Sequence, residues 1–179
     1  MSTIRVKDKI FKPYIAAEEI LAAVERVAAA MNKDLEGKNP LFICVLNGAF
    51  MFAADLYKNI TIDSEISFMR MKSYEGMSTS GSVKCISGLQ EDVAGRTVVV
   101  LEDIVDTGYT MKSIVEQLRE KGAADVRIAT LLHKPEATRV PDLKLDYVAL
   151  TIPNAFIVGY GLDYDEHGRN LKDIYVIAE

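Results

Sequence analysis

The chain has 179 residues and a formal net charge of −5, from 26 acidic against 21 basic side chains spread without long runs. That balance disfavours nucleic acid as the main partner, and no apolar run approaches membrane-spanning length, so no membrane association is expected. A chain this long forms one domain that buries roughly 70% of its unfolded surface, and Cys44 and Cys85 show neither metal-ligand spacing nor a disulfide framework, so it reads as a single-domain cytoplasmic protein.

Residues 1–12 carry mixed charge with no apolar stretch of signal-peptide length and are assigned no element. Ile20, Leu21, Val24, Val27, Ala28 and Met31 recur at helical spacing, which predicts an amphipathic helix over about 16–34. Gly37 to Pro40 break the chain. The run Leu41–Leu46 reads as a buried strand ended by Asn47-Gly48, and a helix from about Ala49 to Lys58 completes half of a parallel α/β unit. Glu65–Met71 alternates as a strand. The polar, small-residue segment Lys72–Val83 is long enough to be a functional lid, with an exposed hairpin tip as the alternative, and Lys84–Ile86 is its returning strand.

The organising stretch comes next. Thr97–Leu101 is rich in β-branched residues, as a buried parallel strand is, and Ile114, Val115 and Leu118 mark one face of a helix that ends near Lys121 with Gly122 as its cap. Between them, Glu102, Asp103 and Asp106 form an acidic loop suited to holding a hard cation such as Mg²⁺ and to moving protons. Gly108 admits a ligand close to the backbone, Thr107 and Thr110 supply hydroxyl donors, and the amides opening the helix attract an anion. A phosphate cradle beside carboxylates suits a sugar phosphate with vicinal hydroxyls. Val126–Leu132, Tyr147–Thr151, Phe156–Tyr160 and Ile174–Ile177 complete the predicted strands. The fold class is therefore α/β, a central and mostly parallel sheet flanked by helices, with ligands at the carboxyl ends of the strands.

The fourteen-residue stretch Thr97–Thr110, hydrophobic strand then Glu-Asp, two apolar residues and Asp-Thr-Gly-Tyr-Thr, resembles the phosphoribosyl pyrophosphate motif of the phosphoribosyltransferases. From about Leu41 to Ile177 the chain resembles their hypoxanthine-guanine branch, through Leu46-Asn47-Gly48, Ser73-Tyr74, the acidic motif, Lys134, Phe156 and Asp163 through Arg169 in the expected order. The resemblance implies a type I phosphoribosyltransferase fold with a small hood and a mobile lid carrying Ser73 and Tyr74. It implies phosphoribosyl binding by Glu102, Asp103, Asp106, Thr107, Gly108, Tyr109 and Thr110, and pyrophosphate binding by Leu46, Asn47, Gly48 and Arg169, with a cis Leu46–Asn47 peptide.

It further implies purine binding by Lys134, Phe156, Ile157 and Asp163, Mg²⁺ held by Glu102, Asp103 and Asp163, and Asp106 as general base. The expected substrates are a 6-oxopurine and phosphoribosyl pyrophosphate, and the expected assembly is a homodimer or homotetramer. Taken singly, Phe156 could be core, Lys134 a solvated charge, Asp163 a turn residue and Arg169 a surface partner of Asp165 or Glu166. His133 and His167 match no catalytic place and are left as surface or supporting residues. Asn47 stands where several relatives carry a basic residue, which removes a charge beside pyrophosphate, and Tyr109 replaces a more usual basic or small residue. Two alternatives remain open on the residues alone: a xanthine-preferring or broad 6-oxopurine transferase, and a nucleotide-sensing RNA-binding regulator on the same fold, against which the acidic charge argues.

Overall fold

The computed structural model describes residues 2–75 and 82–178. In chain order the elements are β1 (Ile4–Val6), β2 (Lys9–Ile15), α1 (Ala17–Asp34), β3 (Leu41–Val45), α2 (Phe50–Lys58), β4 (Glu65–Glu75), β5 (Ser82–Ser87), β6 (Thr97–Val105), α3 (Tyr109–Glu120), β7 (Asp125–His133), β8 (Tyr147–Thr151), β9 (Ile157–Val158) and β10 (Ile174–Ile177), with a 3₁₀ turn at Pro135–Ala137.

Six strands form the main sheet in the order β5-β4-β3-β6-β7-β8. Every neighbouring pair is parallel except β4 with β5. β3 throughout and β6 from Val98 to Leu101 are apolar and buried because both their faces are covered. Phe42, Cys44, Val99 and Leu101 face α1 and α2, where Ile20, Val24, Phe52 and Leu56 pack. Leu41, Ile43, Val98 and Val100 face α3 through Met111, Ile114 and Leu118. The period-2 alternation of β3 and β6 thus divides one set of apolar residues between two cores. A second sheet, in the order β1-β2-β10-β9, is antiparallel, encloses its own small cluster of Val6, Phe11 and Val158, and with the segment between β9 and β10 forms the hood.

Several boundaries differ from the sequence reading. β6 runs on to Val105 because its pairing with β7 continues through Glu102↔Thr130, Ile104↔Leu132 and Val105↔His133. Glu102 and Asp103 therefore lie in a strand, and of the three acids only Asp106 lies in the loop. β4 and β5 pair out to Glu75↔Ser82, so the flanks of the expected lid are strand. Its tip, residues 76–81, and the side chain of Tyr74 lie outside the described residues. The strand expected over Phe156–Tyr160 is reduced to two residues, since Gly159 and Tyr160 both take positive φ and turn the chain away. The amino terminus, assigned nothing, supplies β1 and β2. Their signal is a short alternation in which only Val6, Phe11 and Ile15 are buried, and their sheet partner β10 lies at the other end of the chain.

Candidate active site

β3, β6 and β7 are adjacent, so the loops at their carboxyl ends share one crevice. β6 carries the acids into it. Glu102 is 8% exposed, and the strand's own amides hold the pair in place: Asp103 N donates to Glu102 Oε1 at 3.1 Å and Ile104 N to Asp103 Oδ1 at 2.7 Å. Burial, then the neighbouring Asp103 carboxylate, pushes the Glu102 carboxyl well above its ordinary range. Burial also raises Asp103, against hydrogen bonding and the charge of Arg169. Two carboxyls desolvated side by side form a site that gains from a cation or from hydroxyl donors. Cys44 lies close enough to feel both acids, and burial with their charge pushes its thiol up to about 12, so it is no nucleophile.

This strain on the diacid has a measurable consequence. A folded-state pKa above the unfolded value makes ionised Glu102 a cost to stability above the unfolded pKa. Below about pH 4, where glutamate is protonated in both states, the cost is absent. Glu102→Gln is expected to raise stability and Tm at pH 8, with the gain closing as the pH falls toward about 4. Thermal unfolding of both proteins across pH reads this directly, and a variant less stable than the parent at pH 8 contradicts the geometry described.

Beyond the diacid, Val105–Gly108 leads into α3. Gly108 has φ +92°, a backbone conformation that strains any residue with a side chain, and a Cβ there would also push Leu143 Cδ2, 2.8 Å away, aside. With glycine as the N-cap, no side chain caps α3, and its first-turn amides are left to a ligand. A recess of about 130 Å³ lies along Glu102–Thr110. The segment after β7 clamps this loop: Lys134 N donates to Val105 O at 3.0 Å, Arg139 N to Thr107 O at 2.9 Å, and Thr138 Oγ1 to Asp106 O at 3.2 Å. His133 Nε2 lies 3.1 Å from Thr138 Oγ1, and burial holds its pKa below the usual imidazole range, so it is a supporting residue. Asp106 is half exposed, and the Nζ of the buried Lys134 lies 4.0 Å from its Oδ2. Lys134 is thus no solvated surface charge.

The loop after β3 meets the diacid from the other side. Leu46–Asn47 is a cis peptide, and a Cβ on Gly48 would fall 1.8 Å from Asp103 Oδ2. Glycine is needed at 48 for this close approach. The hood rests on the same point, because a Cβ on Gly161 would fall 2.2 Å from the Gly48 carbonyl oxygen. From the hood, Asp163 accepts from Glu166 N at 2.8 Å and pairs with Arg169 Nη2 at 3.2 Å, so it is a turn residue and an ion-pair partner at once. Arg169 also pairs with Glu166 at 3.2 Å and donates through Nη1 to Gly161 O at 2.8 Å.

Phe156 is 44% exposed, and its ring is braced by Tyr164 edge-on at 5.7 Å and by Phe11 of β2 at 6.0 Å. It is not a core residue. Ile157 beside it is buried. The β1–β2 turn fixes that brace: Tyr164 Oη donates to Asp8 Oδ1 at 2.8 Å, Lys9 Nζ sits 5.6 Å over the Tyr164 ring, and Lys7 pairs with Asp165. Sequence reasoning passed over Tyr164 and Phe11, whose contacts with Asp8 and Phe156 span most of the chain, and Thr138, which acts through the Asp106 carbonyl and His133.

Glu102, Asp103, Asn47, Gly48, the 105–110 loop and Lys134 are therefore brought together, with Asp163 and Arg169 at the hood edge. Ser73 is exposed on β4. Among the described residues no three histidine, cysteine or carboxylate side chains converge to enclose a metal unaided. The buried diacid, with its unmatched charge, fits a cation completed by substrate oxygens and water.

A loop that cradles phosphate at a helix terminus, next to a buried diacid at the switch between parallel strands, defines a phosphoribosyl transferase site. The phosphoribosyl transferase domain family matches residues 14–165 of the chain. Within it the chain belongs to the hypoxanthine-guanine phosphoribosyltransferase family. It is 42% identical over 175 residues to such an enzyme of Streptococcus pneumoniae, covering 97% of each chain. It is 43% identical over 171 residues to that of Streptococcus thermophilus, covering 95% of this chain and 94% of the relative. The crystal structure of a Staphylococcus aureus hypoxanthine phosphoribosyltransferase superposes with TM-score 0.84 at 36% identity, covering 93% of this chain and 91% of the other. A hypoxanthine-guanine phosphoribosyltransferase from Bacillus anthracis superposes at 0.83 with 35% identity, over 96% and 99%.

Proposed function

We propose that the protein is a purine-salvage enzyme that transfers the phosphoribosyl group of phosphoribosyl pyrophosphate to N9 of hypoxanthine or guanine, yielding IMP or GMP and pyrophosphate. The observation that carries the choice of base is the Lys134–Asp106 pair, 4.0 Å apart on adjacent strand ends. A 6-oxopurine presents O6 and N7 side by side on one edge, an acceptor for the ammonium next to a proton for the carboxylate. Phe156 stacks on the ring, with Ile157 and Asp163 bordering the remaining edge. Thr107, Thr110 and the amides from Gly108 to Thr110 bind the 5′-phosphate, Glu102 and Asp103 the ribose hydroxyls, and Asn47, Gly48 and Arg169 the pyrophosphate.

In the reaction the C1–N9 bond forms as the C1–oxygen bond to pyrophosphate breaks, and Asp106 takes the N7 proton. Glu102, Asp103 and Asp163 would hold a magnesium ion, which would supply neutralisation of the leaving group. Ser73, exposed on β4, helps to exclude water from the ribosyl cation. The protein works in the cytoplasm, as a homodimer or homotetramer. Phe50 and Phe68, 40% and 47% exposed on α2 and β4, supply an apolar surface that supports self-association.

The deciding experiment offers phosphoribosyl pyrophosphate and Mg²⁺ with hypoxanthine, guanine, xanthine, adenine and orotate in turn. Turnover of hypoxanthine and guanine, with adenine and orotate inert, is the expected pattern. A higher kcat/KM for xanthine than for hypoxanthine would favour the xanthine enzyme, and no turnover of any base would remove the catalytic reading.

A further inference from the structure

We propose that Arg70 on β4 is the cation that binds the pyrophosphate group at the Leu46–Gly48 loop, held in place by Asn47, so that the charge missing at position 47 is supplied from the neighbouring strand. This inference rests on the reaction proposed above. Arg70 Nη2 donates to Asn47 Oδ1 at 2.8 Å. The placement follows from the sheet: β4 lies beside β3 in parallel register with Val45 opposite Met69, and Leu46 N donates to Met69 O at 2.9 Å. Arg70, one residue on, therefore emerges level with the loop.

A diphosphate arriving next to the Glu102–Asp103 diacid needs positive charge, and the other cations of the crevice are already engaged. Lys134 lies against Asp106 at the base end. Arg169 is shared among Asp163, Glu166 and the Gly161 carbonyl. Among the described residues Arg70 has no carboxylate partner within ion-pair distance. One Nη contact to a neutral amide oxygen leaves most of its five donors, a fork that matches phosphate oxygens, for a ligand. Asn47 fits this arrangement better than a lysine would, since a second cation at 47 would repel Arg70, whereas the amide oxygen orients it.

The test is kinetic and uses both directions of the reaction. Arg70→Met is expected to raise the KM for phosphoribosyl pyrophosphate, and for pyrophosphate in the reverse reaction with IMP, by about tenfold or more, as loss of a charged hydrogen-bonded contact does. The KM for hypoxanthine should stay within about twofold, as expected for uncoupled sites. Arg70→Lys should recover part of the loss. Adding Asn47→Lys to Arg70→Met should recover pyrophosphate binding, because it returns a cation to the loop from the other strand. Titration of pyrophosphate into each folded protein gives the same ranking without turnover. Should Arg70→Met fail to fold, Arg70→Gln is assayed identically.

Unchanged pyrophosphate kinetics in the variant would overturn the assignment. So would an equal loss toward hypoxanthine, or a double variant no better than the single one. A wild-type protein that turns over no 6-oxopurine would instead defeat the proposed reaction, a result visible before any variant is made.

Discussion

Asp106→Asn is expected to lower kcat by about 10²- to 10⁴-fold, the usual contribution of a general base, while leaving the KM for phosphoribosyl pyrophosphate close to that of the parent. The amide keeps the size and hydrogen-bonding shape of the carboxylate but cannot take the N7 proton. The surrounding loop should not shift, because it is held by backbone contacts, Lys134 N to Val105 O and Arg139 N to Thr107 O, that do not involve the Asp106 side chain. Asp106 is half exposed beside Lys134, so the replaced group is not a buried structural acid. Steady-state rates with saturating hypoxanthine measure the effect. Turnover within a few-fold of the parent would assign proton removal to water or to another group.

Lys134→Gln is expected to change specificity as well as rate. In the parent the ammonium donates to O6, and adenine presents an amino group at that place, donor against donor. A site built to hydrogen-bond one substrate group can discriminate by as much as about 10⁴- to 10⁵-fold against an analogue that leaves its polar atoms unpaired. The side chain is only 9% exposed, so adenine bound there would set its amino group against the ammonium with little water to relieve the unpaired donors. Glutamine can donate or accept. Its kcat/KM for hypoxanthine and guanine should fall and the preference over adenine should narrow. If the variant keeps the parent's kcat/KM for hypoxanthine and still rejects adenine as strongly, the base is read by other groups.

Much of this site was legible in the sequence because its parts are local. The β-branched run Thr97–Leu101 marks a strand covered on both faces, and the acids and glycine after it lie within ten residues of one another, so their convergence needed no knowledge of the tertiary fold. The strand's length was harder to read. Carboxylates disfavour a strand by propensity, and only continued pairing with β7 carries Glu102 and Asp103 into β6. The hood was least legible, since β2 pairs with β10 across the whole chain and buries only two of its seven residues. The brace of Phe156 by Tyr164 and Phe11 is invisible for the same reason. Gly48 shows the converse. Its place in the loop was read correctly, but the Asp103 carboxylate that forbids any side chain there comes from another strand. Arg70 reads in the sequence as one more strand-surface charge, and only the β3–β4 register sets it beside Asn47.

The central claim is that one crevice, formed by the ends of β3, β6 and β7 and edged by the hood, binds the whole nucleotide. A crystal structure of the protein with IMP and Mg²⁺ tests it most directly. The 5′-phosphate is expected on the amides from Gly108 to Thr110, the ribose hydroxyls on Glu102 and Asp103, and O6 at Lys134 with Phe156 against the ring. A nucleotide bound elsewhere, or one lying in this crevice with its phosphate at Lys134 and its base on the acidic strand end, would contradict it.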